Sequence, residues 1–444
     1  MMSKLEKFFF IIFPSYLTGL IPLFLITGPF LPDLAITLCA VIFLVNSYKN
    51  SLTQYYKNIF FLVFILFWIL LLVSSLNSDL ILISLSTSVF YIRFGIFALS
   101  TWYLFKKNEK LILYLFYCFL FCFLILIFDS YLQFFTGKNI QGFLIQGTRI
   151  SSFFGNELIL GSYLSRLMPI FLAAIIYLIK KKIISTNYLF FYGLLFIFVD
   201  VLIFLSGERA SFFYLNFSTL FLLILLNDYR KFRLITFLIS LIFIVLVSVA
   251  KPEYKNRIIN NTIENSFLKN LISTRDVSSN TLFTSEKNLI STRDVSSNTL
   301  FTSEHDALYS SAYKMFLKNK YLGVGPKLFR FECNKPEFYT NNFSCSTHPH
   351  NTYLQLLAET GFLGFLMIFS TFLLICYYLI KHLFFRLFKK LILFDNFQIS
   401  LICSLTITLW PVIPNGNFFN NWLNVIYFLP IGFLIASFEK NKMS

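Results

Sequence analysis

Charged residues are scarce in this chain, at 13% of its 444 residues. Soluble domains carry about 25%, so the sequence lacks the polar surface that a soluble enzyme needs. A disordered chain is excluded as well, because disorder requires low hydrophobicity, whereas 57% of these residues are hydrophobic and 20% are aromatic. We therefore expect lipid to surround most of the fold.

Histidine and cysteine are also few, with four and seven residues. No CxxC pair or His/Cys cluster indicates a metal site. Five cysteines lie in apolar stretches, where cysteine behaves as a small apolar residue. Cys333 and Cys345 lie instead in a polar region, and we predict a disulfide between them if that region faces an oxidising compartment.

The net charge of +16 does not indicate a nucleic-acid partner. A nucleic-acid-binding domain clusters its Lys and Arg residues on one face, but here they form short groups between long apolar runs. That distribution is typical of the charges that orient a membrane protein. We therefore expect no nucleic acid.

Long apolar runs dominate the sequence, and about 17–25 such residues cross a bilayer as a helix. The runs lie at about 8–27, 31–46, 58–76, 86–105, 111–130, 158–179, 188–206, 210–226, 232–250, 354–380, 397–413 and 421–438. We therefore predict an all-α polytopic membrane protein with about twelve spans. Residues 1–250 hold the first nine, 251–353 form a large polar loop with short helices, and 354–444 hold the last three and a tail.

Lys and Arg residues concentrate in alternate short loops and in the termini, whereas the other short loops hold only Lys138, Arg149 and Arg209. Positive residues favour the cytoplasmic side. The pattern predicts that both termini are cytoplasmic and that the large loop lies on the outer side.

The large loop contains a perfect tandem repeat, KNLISTRDVSSNTLFTSE, at 269–286 and again at 287–304. Two polar copies are too few to bury a solenoid core. We interpret the repeat as a duplication in a tolerant, exposed loop.

Four charged residues fall inside predicted spans, towards the outer side: Arg93, Asp129, Arg166 and Asp200. A charge at the centre of a spanning helix costs about 2.5–3.5 kcal/mol on insertion scales. A structural ion pair, such as Arg93 with Asp129 or Asp200, is one explanation. A binding site at the outer surface is the other.

Two predicted outer loops add arginines to this region. RISSFFGNELILGSYL begins with Arg149, and the short turn SGERASFF carries Glu208 and Arg209. A guanidinium group can hold a phosphate through two parallel hydrogen bonds, so these arginines suit a lipid-linked pyrophosphate. Contact with lipid headgroups is the alternative.

The segment CSTHPHNTYLQLLAETGFLG, at 345–364, places His350 just before the tenth predicted span. Histidine accepts a proton near neutral pH, as the deprotonation of an acceptor hydroxyl requires. Gly361 and Gly364 are expected to let a neighbouring helix approach closely.

These segments together resemble the O-antigen ligases and related periplasmic oligosaccharide transferases. The resemblance rests on His350-Asn351 followed after nine residues by Gly361-x-x-Gly364, on RISSFFGNELILGSYLSRLMP, on SGERASFF and on AYKMFLKNKYLGVGPKLFRFEC at 312–333. It covers about 145–364, with a weaker match in the Pro- and Asn-rich turn at 411–421.

The resemblance implies a multi-span inner-membrane glycosyltransferase of the GT-C type that needs no metal or other cofactor. Its donor would be an undecaprenyl-pyrophosphate-linked O-antigen and its acceptor the lipid A core, at the periplasmic face. Carried over by motif, the catalytic residues are His350, Arg209 and Arg149. Further candidate substrate-binding residues are Arg93, Arg166, Asn351 and Glu208.

Three alternatives remain open from the sequence. An O-antigen polymerase would use the same donor with another polyprenyl-linked glycan as acceptor, and a protein O-oligosaccharyltransferase would glycosylate a protein. A twelve-span transporter would bind its substrate at the membrane midplane between repeated halves. The gathering of charged residues on one side disfavours the transporter.

Overall fold

The computed structural model describes residues 3–260, 262 and 302–440. The tandem repeat at 269–304 therefore lies outside the described residues, except for 302–304. The described residues form an all-α structure in which β pairing is limited to two isolated bridges, Lys138 with Leu144 and Gln146 with Arg149.

The chain begins with a run of short helical segments, Lys4–Lys7, Phe8–Ile12, Phe13–Gly19 and Ile21–Phe24. The main helices are α1 (Phe30–Lys49), α2 (Ile59–Leu76), α3 (Ile81–Lys107), α4 (Leu111–Thr136), α5 (Leu160–Lys180), α6 (Leu189–Leu205), α7 (Arg209–Leu225), α8 (Arg230–Ala250), α9 (Ser303–Lys318), α10 (Thr352–Phe388), α11 (Asn396–Thr408) and α12 (Asn421–Lys440).

Nine of the described helices, α1–α6, α8, α10 and α12, are long and apolar enough to cross a membrane. Two more, α7 and α11, are apolar but shorter. The predicted first span is not one continuous helix. It is broken at Leu20, just before Pro22, because proline has no N–H for the helical ladder. The fold is that of an all-α polytopic membrane protein.

Helix α5 forms the centre of the bundle. It packs against α4, α6, α7, α11 and α12, and residues on all of its faces are buried, including Tyr163 and Phe171. The outermost helices instead expose large apolar side chains, such as Leu66 on α2 and Leu238 on α8, which are 52% and 51% exposed. Lipid contact accounts for this outer apolar surface.

Local sequence sets several helix ends. The side chain of Asn58 accepts the Phe61 N–H at 2.9 Å and so caps α2, and Asp395 caps α11 in a capping box. Gly137 ends α4 in the left-handed conformation, with φ 84°, which glycine adopts without a steric penalty.

The buried acidic groups have partners other than those the sequence led us to expect. Asp200 forms an ion pair with Arg233 in the first turn of α8, with its Oδ2 2.8 Å from a guanidinium nitrogen. Both side chains are at most 1% exposed. The Ser240 hydroxyl donates to the Asp200 carboxylate, and the Thr219 hydroxyl accepts from the Arg233 guanidinium. A structural ion pair therefore explains Asp200, but its partner is Arg233 and not Arg93.

Asp129 is also not paired with Arg93. Its carboxylate accepts hydrogen bonds from the hydroxyl of Ser152 at 2.5 Å and from the Ile140 N–H at 2.9 Å. Arg93 forms an ion pair with Asp33 of α1 at 2.5 Å. A structural ion pair thus explains Arg93, but with a partner that sequence reasoning did not propose.

Candidate functional site at the loop end

A cavity of about 720 Å³ opens at one end of the bundle. We call this the loop end, because the α4–α5 loop, the α6–α7 turn, the segment before α10 and the α11–α12 loop meet there. The polar and charged side chains that line the cavity include Arg149, Glu157, Ser162, Arg166, Glu208, Lys327, Arg330, Thr347, His348, His350, Asn415 and Asn417. Four predicted site residues, Arg149, Arg166, Glu208 and His350, are therefore brought together.

Three arginines crowd around the α6–α7 turn. Gly207 adopts φ 68°, and a Cβ at this position would lie 2.9 Å from both Arg149 Cγ and Arg257 Nε. Arg257 donates to the Gly207 carbonyl and Arg149 to the Leu158 carbonyl, both at 2.9 Å. Arg209 follows as the first residue of α7 and is exposed.

The electrostatics of this arginine group favour an anion. Burial lowers the pKa of Arg149, and so does the charge of its neighbours Arg257 and Arg209, while Glu208 opposes the shift. Burial and Arg209 likewise lower the pKa of Arg257. A bound phosphate would relieve the mutual repulsion of these cations.

Glu208 lines the cavity, but its carboxylate serves the fold. It accepts the N–H groups of Gly161 and Ser162 at 2.6 and 3.0 Å, and the hydroxyls of Ser162 and Ser211 at 2.8 and 2.9 Å. A carboxylate at the start of a helix satisfies N–H groups that have no partner within the helix. Glu208 therefore fixes the α6–α7 turn, and with it Arg209, onto the start of α5.

Arg166 lies in the second turn of α5 and is 3% exposed. It donates to Asn415 Oδ1 at 2.6 Å, and its guanidinium carbon lies 4.7 Å from the centre of the Tyr214 ring. Among the described residues, the Nε atoms of Arg166 and Arg149 are buried without a hydrogen-bond partner. Unsatisfied buried donors of this kind call for a ligand or water.

His350 is held in a strained backbone conformation, with φ 55°. Left-handed geometry is uncommon for a residue with a side chain, and such outliers cluster at functional sites. Its carbonyl accepts the Asn415 N–H at 2.7 Å, and its Nε2 lies 3.4 Å from the Ser346 hydroxyl. Burial and the nearby His305 lower its pKa, against the opposing effect of Glu304, so the imidazole is neutral at pH 7.

His348 packs beside His350, with ring centres 4.2 Å apart. Burial lowers its pKa to about 3, so it is neutral. Its Nε2 is 3.1 Å from the Asn415 carbonyl, and a carbonyl only accepts. The proton of His348 therefore sits on Nε2, while Nδ1 accepts from the Thr347 hydroxyl at 2.9 Å. His348 is a structural neighbour that fastens the segment before α10 to the α11–α12 loop.

Asn351, predicted to bind substrate, caps α10. Its Oδ1 accepts the N–H groups of Tyr353 and Leu354 at 3.0 and 3.1 Å, and its Nδ2 donates to the Pro411 carbonyl at 2.8 Å. It is 7% exposed. The side chain is therefore occupied in starting the helix and in fixing His350 against the α11–α12 loop.

Gly361 interrupts α10, with φ 66° and ψ −167°. The gap receives a turn of residues 320–326, which we call the docking turn. Three hydrogen bonds join it to α10, from Val324 N to Ala358 O at 2.8 Å, from Gly325 N to Glu359 O at 3.0 Å and from Phe362 N to Lys320 O at 2.7 Å.

The roles predicted for the two glycines need correction. A Cβ at Gly361 would fall on the backbone of Tyr321, so this glycine admits the docking turn and not a neighbouring helix. A Cβ at Gly364 would fall on the side chain of Thr360, one turn earlier in α10. Both glycines therefore shape the break in α10.

The docking turn leads into residues that sequence reasoning did not select. Lys327 and Arg330 line the cavity, and the following short helix, Phe329–Glu332, donates the Phe329 N–H to the buried Glu359 carboxylate at 3.0 Å. Glu359 also accepts from Gln355, which bonds Asn417 of the α11–α12 loop. One buried network therefore fixes both walls of the cavity relative to α10.

Cys333 and Cys345 form a disulfide. Cys333 ends the short helix that carries Arg330, and Cys345 starts the segment that carries His350. The bridge joins these two parts of the loop end, which are otherwise separated by a stretch with little regular structure.

Sequence reasoning missed Lys327, Arg330, Arg257, His305 and Asn415. Lys327 and Arg330 lie in the segment 312–333 that carried the family resemblance, so that motif held a signal for them. Arg257 follows α8 in a polar stretch with several other basic residues, and nothing in its sequence context distinguishes it. Arg93, predicted to bind substrate, pairs with Asp33.

The O-antigen ligase family model matches residues 191–369 of this chain. The match contains the α6–α7 turn with Arg209, the segment with His350, and both glycines of the α10 break. Arg149 and Arg166 precede it. No curated protein matches the chain.

Proposed function

We propose that this chain, whose residues 191–369 belong to the O-antigen ligase family, transfers an undecaprenyl-pyrophosphate-linked glycan to a hydroxyl of the lipid A core. The observation that carries the proposal is the loop-end cavity, which Arg149, Arg166 and Arg330 line together with the neutral His350. We further propose that the loop end faces the periplasm of a bacterial inner membrane and that both termini are cytoplasmic, as the distribution of basic residues predicts.

In this proposal the arginines hold the pyrophosphate of the donor. Arg149 and Arg209 bind it from the α6–α7 side, and Arg166 from the start of α5. The leaving pyrophosphate gains negative charge as its bond to the sugar breaks. Fixed cations in a partly buried site stabilise such a developing charge more than they would in water, so transfer would need no metal ion.

The polyprenyl tail of the donor has an apolar place next to the arginines. A second cavity, of about 410 Å³, shares Arg166, Ser162 and Glu157 with the first and is lined by the apolar side chains of Leu25, Ile26, Phe153, Phe154 and Trp422. A donor with its pyrophosphate at Arg166 would place its first isoprene units there.

His350 takes the proton in the proposed reaction. The acceptor oxygen attacks the anomeric carbon of the donor sugar, the bond between that carbon and the phosphate oxygen breaks, and the electron pair leaves with the polyprenyl pyrophosphate. The hydroxyl proton passes to the imidazole of His350. A histidine with a lowered pKa is neutral at pH 7 and can accept it.

The test compares Arg209→Ala and His350→Ala with Arg230→Ala, which removes an arginine from the opposite end of the bundle. All three are expected to reach the membrane. Loss of one group that stabilises the transition state costs about 10²–10³ in rate, so the first two variants should lose ligation and the control should keep it. Full ligation in both site variants would refute the assignment.

A glycolipid gel of cells that lack the protein distinguishes the proposed ligase from a polymerase. Loss of a ligase leaves all long glycan off the lipid A core, whereas loss of a polymerase leaves caps of a single unit. Chelation of divalent ions in a purified transfer assay tests whether the reaction needs a metal ion. The arginine mechanism predicts that the rate of transfer is unchanged.

A further inference from the structure

A smaller cavity, of about 390 Å³, lies beside His350. His350 lines both cavities. The smaller one is also lined by Glu304 and His305 at the start of α9 and by Asn342, Phe343 and Ser346 from the loop before α10. Nothing in the proposed donor site uses these residues.

The two cavities differ in charge. The larger one is lined by four cations, Arg149, Arg166, Lys327 and Arg330, and by two carboxylates, Glu157 and Glu208. The described residues that line the smaller one include one carboxylate, Glu304, and no lysine or arginine. Arg209 is close enough to lower the pKa of His305, but it does not line the smaller cavity. The Glu304 carboxylate there repels an anion, so the larger cavity suits the pyrophosphate better.

The lining of the smaller cavity suits an uncharged sugar. Carboxylate, amide and hydroxyl groups offer both donors and acceptors to ring hydroxyls, and Phe343, 49% exposed, offers an aromatic face to the apolar side of a sugar ring. The imidazole of His305 lies across the cavity, with its centre 5.8 Å from that of His350.

The loop that carries Phe343 is held in place before any ligand binds. The Ser344 hydroxyl accepts the N–H groups of Thr340 and Asn341 at 2.7 and 2.8 Å, and Tyr339 donates to Asn342 Oδ1 at 2.6 Å. The disulfide at Cys345 fixes the end of the loop. A preorganised wall loses less conformational entropy on binding.

We infer that the smaller cavity is the subsite for the acceptor sugar, so that His350 stands between a donor in the arginine cavity and an acceptor hydroxyl in the cavity of Phe343 and His305. This inference rests on the proposed transfer reaction, and it states that the acceptor hydroxyl belongs to a sugar. The sugar is carried either by a lipid A core or by a second polyprenyl glycan.

The test measures glycan transfer by the full-length protein in proteoliposomes, with purified O-antigen-free lipopolysaccharide as acceptor in one arm and polyprenyl-pyrophosphate glycan alone in the other. Phe343→Ala is compared with Tyr313→Ala, which removes an aromatic ring of similar exposure, 51%, from a position on α9 outside both cavities. Phe343→Tyr keeps the ring and serves as the conservative variant.

Phe343→Ala should raise the KM for the acceptor roughly tenfold, which corresponds to about 1.4 kcal/mol, and leave the KM for the donor unchanged. Phe343→Tyr and Tyr313→Ala should stay close to wild type. An unchanged acceptor KM in Phe343→Ala, or a rise in donor KM instead, would overturn the subsite while wild-type transfer still supported the proposed function. Wild-type protein that transfers glycan in neither arm would overturn both.

Discussion

Gly361→Ala should destabilise the protein and reduce transfer, although Gly361 touches neither cavity. Its φ and ψ of 66° and −167° lie in a region that is essentially restricted to glycine. A methyl group there would also fall on the backbone of Tyr321. Because a backbone cannot rotate away as a side chain can, the docking turn must move off α10.

The structure sets the size of the effect. Backbone strain of this kind costs roughly 1–3 kcal/mol, and each hydrogen bond between the docking turn and α10 contributes about 1 kcal/mol. If all three are lost, the total is roughly 4–6 kcal/mol. Lys327 and Arg330 follow the turn directly, so the cavity should lose two of its cations at the same time.

Gly193→Ala is the matched control. Gly193 lies within α6, and a Cβ there would be 3.4 Å from carbon atoms of Phe232 and Thr236, which is ordinary contact. Alanine is a better helix former than glycine, so stability should stay the same or rise slightly. The assay is thermal unfolding of both variants in detergent, followed by transfer in proteoliposomes. Equal unfolding temperatures and equal transfer for the two variants would refute the reasoning.

Three further predictions follow from particular contacts. Arg257→Ala should raise the donor KM and Arg257→Lys less so, because Arg257 lies in the arginine group; an unchanged donor KM would exclude it from pyrophosphate binding. Asp200→Asn should destabilise the protein by about 3–5 kcal/mol, because it leaves the buried charge of Arg233 unpaired, and denaturation in detergent would measure the loss. In the proposed mechanism the proton acceptor is neutral His350, so activity should fall only as the pH drops below the ordinary range of histidine. His305→Gln removes a neighbouring positive charge and should move this loss of activity to higher pH. A pH profile that stays in place would contradict the lowered pKa of His350.

Much of the fold was predictable because the solvent of this protein is lipid. Within a bilayer the backbone must form its hydrogen bonds internally, so each long apolar run was expected to be a helix. Asn351, which we predicted to bind substrate, instead caps α10. The predicted span at 8–27 was wrong in its continuity, because Pro22 breaks the helical ladder.

The partners of buried charges were not predictable in the same way. Hydropathy places Arg93 and Asp200 in spans but does not say which helices are neighbours. Arg93 meets Asp33 of α1, and Asp200 meets Arg233 of α8. These pairs depend on the order in which helices pack, and many orders satisfy the same hydropathy.

For the candidate site, motifs selected Arg149, Arg209 and His350. The structure brings Arg149 and Arg209 to one turn, and Arg149 and His350 line the same cavity, whereas Arg209 does not line it. It assigns Glu208 and Asn351 to the fold, since their side chains are occupied by helix N-termini. Arg257 and His305 lacked any local signal, because each acquires its neighbours only when distant segments meet at the loop end.

The sequence alone determined that this protein is a helical membrane protein, because scarce charge and long apolar runs leave no other stable solution. Only the tertiary structure decided that His350 lines two cavities, one with several arginines and one with an exposed aromatic ring. That arrangement arises from packing between α5, α9, α10 and the α11–α12 loop. Because these segments lie far apart in the chain, their contacts produce no periodic pattern in the sequence.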